Sequence, residues 1–176
     1  MAVTDTETAR SLFVTGLQNA HALEQQASQI IGRQLDRLET YPDVAERLRK
    51  HLDETRTHQQ RVEEILTSMD ETYSTLKDFG AGFMGNMAAL AHTPAPDEIL
   101  KNSFANLAFE NYEVAAYTSL IALAEANGAN GANGALKALN QTLKEEQDMA
   151  KWVADHLRSI TLTYLERRSA GAQADR

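Results

Sequence analysis

The sequence predicts an all-α protein, a four-helix bundle with a long crossover between its second and third helices. Three observations lead there. Only three prolines, Pro42, Pro94 and Pro96, interrupt the 176 residues, so long helices are permitted. Ala, Leu, Glu and Gln are common, which favours helix over strand. Four stretches place apolar residues in alternating three- and four-residue steps, the spacing of a helix face turned towards neighbours. The length suits one domain, expected over 1–168, with SAGAQADR at 169–176 as a disordered tail.

The first helix is expected from about Asp5 to Glu39, entered through Thr and Asp residues that make good N-caps. Its inward stripe includes Leu17, His21, Glu24, Ile31 and Leu35. TYPD at 40–43 is the turn, with Pro42 near the start of the second helix. That helix runs to about Thr72 with Leu48, His51, Thr55, His58, Val62 and Ile65 in one line, and Glu54 beside it. Residues 73–96 are far longer than a tight helical hairpin needs, and LKDFGAGFMGNMAALAH within them suggests a short helix on a crossover. The third helix starts near Asp97 and ends at NGANGANG, 127–134, whose Gly and Asn suit a turn. The fourth, from about Ala135 to Arg167, has the seam Leu139, Leu143, Glu146, Ala150, Val153 and Ile160.

The formal net charge of −8 argues against nucleic acid and anionic membranes as partners. The absence of cysteine excludes disulfides and thiolate metal sites. MAVTDTETAR lacks the basic and apolar regions of a secretory signal, and no stretch is long and apolar enough for a membrane span, so a cytoplasmic protein is expected. No phosphate loop or nucleophile elbow appears, and no small-molecule substrate beyond O₂ or peroxide is suggested.

The chemistry lies in acids on apolar seams. Glu110 and Glu113 in FENYEVAAY are either a solvated pair or a buried pair that needs a cation. Height favours burial. Glu24 and Glu54 lie at similar distances from the first turn, and Glu113 and Glu146 at similar distances from the NGANGANG turn, roughly 20–25 Å in each case. Two docked hairpins would bring these carboxylates to one level, where unpaired charges would cost many kcal/mol without protons or a cation. His58, one turn after Glu54, can add nitrogen. Carboxylates with imidazole suit iron or manganese, with zinc possible. His51 and His21 lie about one turn from Glu54 and Glu24 and can orient ligands. Tyr117, one turn after Glu113, either offers its hydroxyl to the cluster or packs in the core.

LFVTGLQNAHALEQQ, KHLDETRTHQQRVEEI, FENYEVAAYTSLIALAE and LNQTLKEEQDMA, in this order, resemble the bacterial YciE/YciF family of ferritin-like stress proteins. The resemblance covers about residues 10 to 160. It implies a ferritin-like bundle and a homodimer with a stress-associated role. It also implies a two-metal site, iron favoured, held by Glu24, Glu54, His58, Glu110, Glu113 and Glu146. Glu54 with Glu113 or Glu110 would bridge the ions. Thr57 and Met149 stand where ferritins carry the histidines of Glu-x-x-His, and Ala150 where relatives are expected to carry an acid. His58 is then the one expected nitrogen ligand. These departures also suit a non-enzymatic stress or structural dimer with a vestigial or empty site.

Overall fold

The computed structural model describes residues 6–73, 95–127 and 132–176. Four helices form the bundle: α1 (Thr6–Leu35), α2 (Pro42–Ser68), α3 (Glu98–Ala126) and α4 (Ala132–Ser169). The short crossover helix expected from the sequence lies outside the described residues. α1 packs against α2 and α3, and α4 against α3 and α2, so the helices form a ring with α1 opposite α4.

Helix ends follow local chemistry. α2 begins with Pro42 in its first turn, where a missing N–H loses nothing. It stops in a Schellman arrangement: Asp70 takes φ 59° and the Glu71 N–H donates to the Leu66 carbonyl at 3.0 Å. α4 ends the same way, with Gly171 at φ 69° and the Ala172 N–H donating to Arg167. α1 stops at Leu35, four residues before the expected Glu39, and α2 at Ser68 rather than Thr72.

The segment expected as a disordered tail instead folds back over the end of the bundle. The Asp175 carbonyl accepts the Ile99 N–H at 2.8 Å, one of the free donors in the first turn of α3. The Tyr41 hydroxyl donates to the Ala174 carbonyl at 2.6 Å, and Ala174 is buried. These are bonds to backbone carbonyls, so side-chain composition carries little sign of them.

Apolar clusters fill both ends. One gathers Phe13, Leu17, Val62, Leu66, Leu120 and Leu139; the other gathers Ile31, Leu48, Ile99, Met149, Val153 and Ile160. The seams predicted on α2 and α4 supply five of these twelve, Leu48, Val62, Leu139, Val153 and Ile160. Between the two ends the same seams turn polar, and the functional residues sit there.

Candidate metal centre

Glu24 of α1, His51 and His58 of α2, Glu110 and Glu113 of α3 and Glu146 of α4 meet in the middle of the bundle. None is more than 3% exposed, so bulk solvent does not reach them. The two histidines lie seven residues apart, two turns along one face of α2, and their ring centroids are 6.4 Å apart.

The six side chains form two groups. His51, Glu110, Glu113 and Glu146 offer ligand atoms within 4.8 Å of one another, and so do Glu24, His58 and Glu146. Glu146 belongs to both. Four carboxylates and two imidazoles are the donor count of ferritin-like two-metal proteins, redistributed among the helices. Either group can hold a metal ion.

Most polar atoms of the cluster lack a hydrogen bond. His51 Nε2 lies 3.1 Å from Glu110 and 3.6 Å from Glu146, and His58 Nδ1 lies 2.7 Å from Glu146 and 3.4 Å from Glu24. These contacts are close but lie off hydrogen-bonding directions. Among the described residues nine buried side-chain atoms lack a hydrogen bond, and eight of them are in this cluster: both inward ring nitrogens and six carboxylate oxygens. Buried polar groups are rarely left so. Tyr117 fixes one oxygen, its hydroxyl donating to Glu24 Oε1 at 2.5 Å.

Outside the cluster each histidine has its other nitrogen engaged. His51 Nδ1 lies 3.2 Å from Glu54, which also meets Arg47 at 3.0 Å and Lys50 at 3.2 Å. His58 Nε2 lies 2.9 Å from Glu145, which Arg61 holds at 2.6 Å. An acid behind each ring fixes its orientation and leaves the inward nitrogen free for a ligand.

Protonation follows the same geometry. Burial, then Glu146, raises Glu24 against the opposing pull of His58 and Tyr117. Burial and the acids Glu146, Glu24 and Glu110 raise Glu113 well above the carboxylate range. Burial brings Glu146 up to about 7 despite His58. Burial alone would lower both histidines. Glu110, Glu54 and Glu146 outweigh it for His51, and Glu146 and Glu24 raise His58 to about 10. Glu54 goes the other way: burial opposes its charge, but His51 and Arg47 hold it at about 2.

The structure thus brings Glu24, His58, Glu110, Glu113 and Glu146 together, and both members of the FENYEVAAY pair are inside. It places Glu54 outside the groups, against His51, and puts His51 among the candidate ligands. The cluster therefore has two nitrogen donors rather than one. His21 is buried but faces Glu63 at 2.8 Å and the Tyr73 ring, away from the centre. Glu145, off the α4 seam, reads from sequence as a surface residue and was missed, as were Arg47 and Arg61. The available signal was their placement around the histidines, with Arg47 four residues before His51 and Arg61 three after His58.

An all-α bundle with carboxylates and imidazoles buried at its middle is a ferritin-like architecture. A family model described as a domain of unknown function, DUF892, matches residues 8–166, and the chain belongs to that family. Three solved structures share the fold. A protein from Xanthomonas campestris pv. campestris is 25% identical with TM-score 0.76, covering 92% of this chain and 99% of its own. The Escherichia coli stress protein YciF is 22% identical with TM-score 0.72, covering 85% and 94%. YcfI from Rhodopseudomonas palustris is also 22% identical with TM-score 0.72, covering 86% and 96%. The chain is therefore YciF-like, as its sequence suggested. Among the described residues no helix is long and apolar enough to cross a membrane.

Proposed function

We propose that the chain holds two metal ions, iron in preference to manganese, in the middle of the bundle. The carrying observation is the convergence of eight buried atoms without a hydrogen bond from four helices. His51, Glu110, Glu113 and Glu146 would hold one ion, and Glu24, His58 and Glu146 the other, with Glu146 shared. Oxygen-rich sites with imidazole suit iron and manganese, with zinc possible. When bound, such a pair supplies redox chemistry towards O₂ or peroxide. The chain's own part is to exclude water, to hold each ring through Glu54 or Glu145, and to fix Glu24 through the Tyr117 hydroxyl. A stress-associated role rests on the likeness to YciF.

Elemental analysis after anaerobic loading with ferrous ion tests the site. About two ions per chain are expected, falling in Glu146→Ala because both groups lose a ligand. No retained iron or manganese in the unaltered protein would end this reading.

A metal-free stress or structural protein is supported by one observation. Protons on His51, His58 and two of the glutamates would neutralise the cluster without an ion, and the directions of the histidine and Glu113 shifts agree with that. The loading experiment separates the two.

A further inference from the structure

A centre whose ligand atoms are all buried needs a way in. Its six candidate ligands are at most 3% exposed, yet two of them touch side chains that solvent reaches. Glu54 lies 3.2 Å from His51 and its side chain is 17% exposed; Glu145 lies 2.9 Å from His58 and is 24% exposed. Both acids line one surface cleft of about 260 Å³, together with Lys50, Asp53, Thr57 and Arg61 of α2. The α2 members recur at helical spacing, one residue off the inward line His51, Thr55 and His58. The cleft lies at the seam between α2 and α4, the sparsest of the four helix–helix contacts in the ring. Beside His58 that seam is closed by polar side chains, Arg61 donating to Thr142 at 3.0 Å and to Glu145 at 2.6 Å. Contacts with few apolar partners are where local opening costs least.

We propose that this cleft is the entry for divalent cations to the buried centre, with Glu54 and Glu145 taking each ion from water and handing it inward past the His51 and His58 rings. The inference rests on the two-metal reading and adds the path that reading needs. Size comes first. At ~30 Å³ per water, a divalent cation with six waters needs ~180 Å³, so the cleft admits the ion with its shell. Carboxylate oxygens must then replace those waters, and both acids can supply them. Charge agrees: the lining carries Asp53, Glu54 and Glu145 against Lys50 and Arg61, a balance that draws cations rather than anions. Position completes the case. The two acids lean on the very rings that close the passage, so a carboxylate that turns to a cation in the cleft releases the ring behind it. Glu54 uses Oε2 on His51 and Arg47, and its Oε1 meets only the Lys50 ammonium, at 3.2 Å, among its ion pairs. Lys50 is 70% exposed, and an exposed pair of this kind holds weakly. A divalent ion displaces it readily, although its charge slows the approach.

The test is the rate of manganese uptake by the full chain, followed through loss of the free-ion paramagnetic resonance signal, and the rate of release into excess chelator. Neither depends on turnover. Thr57 is exposed in the cleft and its hydroxyl donates to the Asp53 carbonyl at 2.9 Å, so Thr57→Trp fills the mouth without removing a ligand. Uptake and release should both slow roughly 10-fold or more with Kd unchanged, because a plug raises the barrier and leaves the bound state alone. Lys50→Gln should load roughly 3- to 5-fold faster at low salt, with the gain shrinking as salt rises. Lys101→Gln removes the same charge beside Asp97 at the start of α3 and should load at the unaltered rate. Thr57→Trp that loads at the unaltered rate overturns the route. Slower loading with unaltered release and weaker affinity overturns it as well, since Thr57 would then support the site rather than line its mouth. Should Thr57→Trp fail to fold, Lys50→Gln decides: loading no faster than Lys101→Gln overturns the route. An unaltered chain that retains no manganese ends the two-metal reading and the route with it. About two ions bound at equilibrium, with rates indifferent to Thr57→Trp, end the route alone.

Discussion

His51 and His58 each turn one nitrogen to the middle of the bundle and lean the other on an acid that is itself held by arginine. Removing the acid's charge while keeping its shape tests whether that support matters. Glu145→Gln and Glu54→Gln should each lower manganese affinity by about 10- to 100-fold in titration calorimetry. Equal affinity in both variants would reduce these acids to surface ion pairs. Glu113 makes a complementary case, since burial and three neighbouring acids all raise it. Glu113→Gln replaces a carboxyl that burial and three neighbouring acids make costly to ionise, so it should hold or raise the melting temperature of metal-free protein. With metal present it should lower it, because a ligand is lost and ligand binding is linked to folding. A fall in both conditions would mean that Glu113 is needed for packing alone.

At the scale of the helices, the readable part of the fold was the spacing of inward residues. On α2 the line from Val44 through Leu48, His51, Thr55, His58, Val62 and Ile65 is buried in its entirety, because heptad-like spacing dictates which side faces the core. That line already carried both histidines inward and left Glu54 beside it. The preference for Glu54 as a ligand came from the resemblance and from chain height. Height fixes a level along the axis but not a direction around it, and residues three apart on a helix differ by about 60°. Glu145 was illegible for a related reason: it points at α2, and only the position of α2 gives that direction a meaning. The returning C-terminal segment left no trace because its bonds are made by backbone carbonyls. The end of α2 offers a clean test of local structure. Asp70 sits at φ 59° in a Schellman stop, a conformation glycine takes without steric penalty. Asp70→Gly should raise stability by about 0.5–1 kcal/mol in urea unfolding. A loss of stability would mean that the aspartate side chain contributes more than its backbone strain removes.

For the whole molecule, the buried cluster makes stability depend on pH in opposite senses with and without metal. In metal-free protein His58 is raised from 6.5 to about 10. A group raised in this way contributes stability that is full below 6.5 and disappears as pH climbs through 10. Glu146, raised from 4.5 to about 7, behaves alike: its favourable contribution is present below 4.5 and gone above 7. Both therefore weaken the metal-free bundle between about pH 5 and 10. Metal ligands must shed these same protons, so binding strengthens over the same range. The melting temperature gained on adding manganese should accordingly be larger at pH 8.5 than at pH 6. The metal-free melting temperature itself should fall between those values, since there the unfolded chain sheds the His58 proton that the folded bundle still holds, and folded Glu146 loses its own. Parallel melts at the two pH values, with and without manganese, measure both slopes at once. A metal-induced gain that shrinks with pH would show that the ion binds somewhere other than these protonated ligands. No gain at either pH would leave His51 and His58 as the resident cations of the cluster. The bundle would then be a metal-free scaffold held together by its own protons.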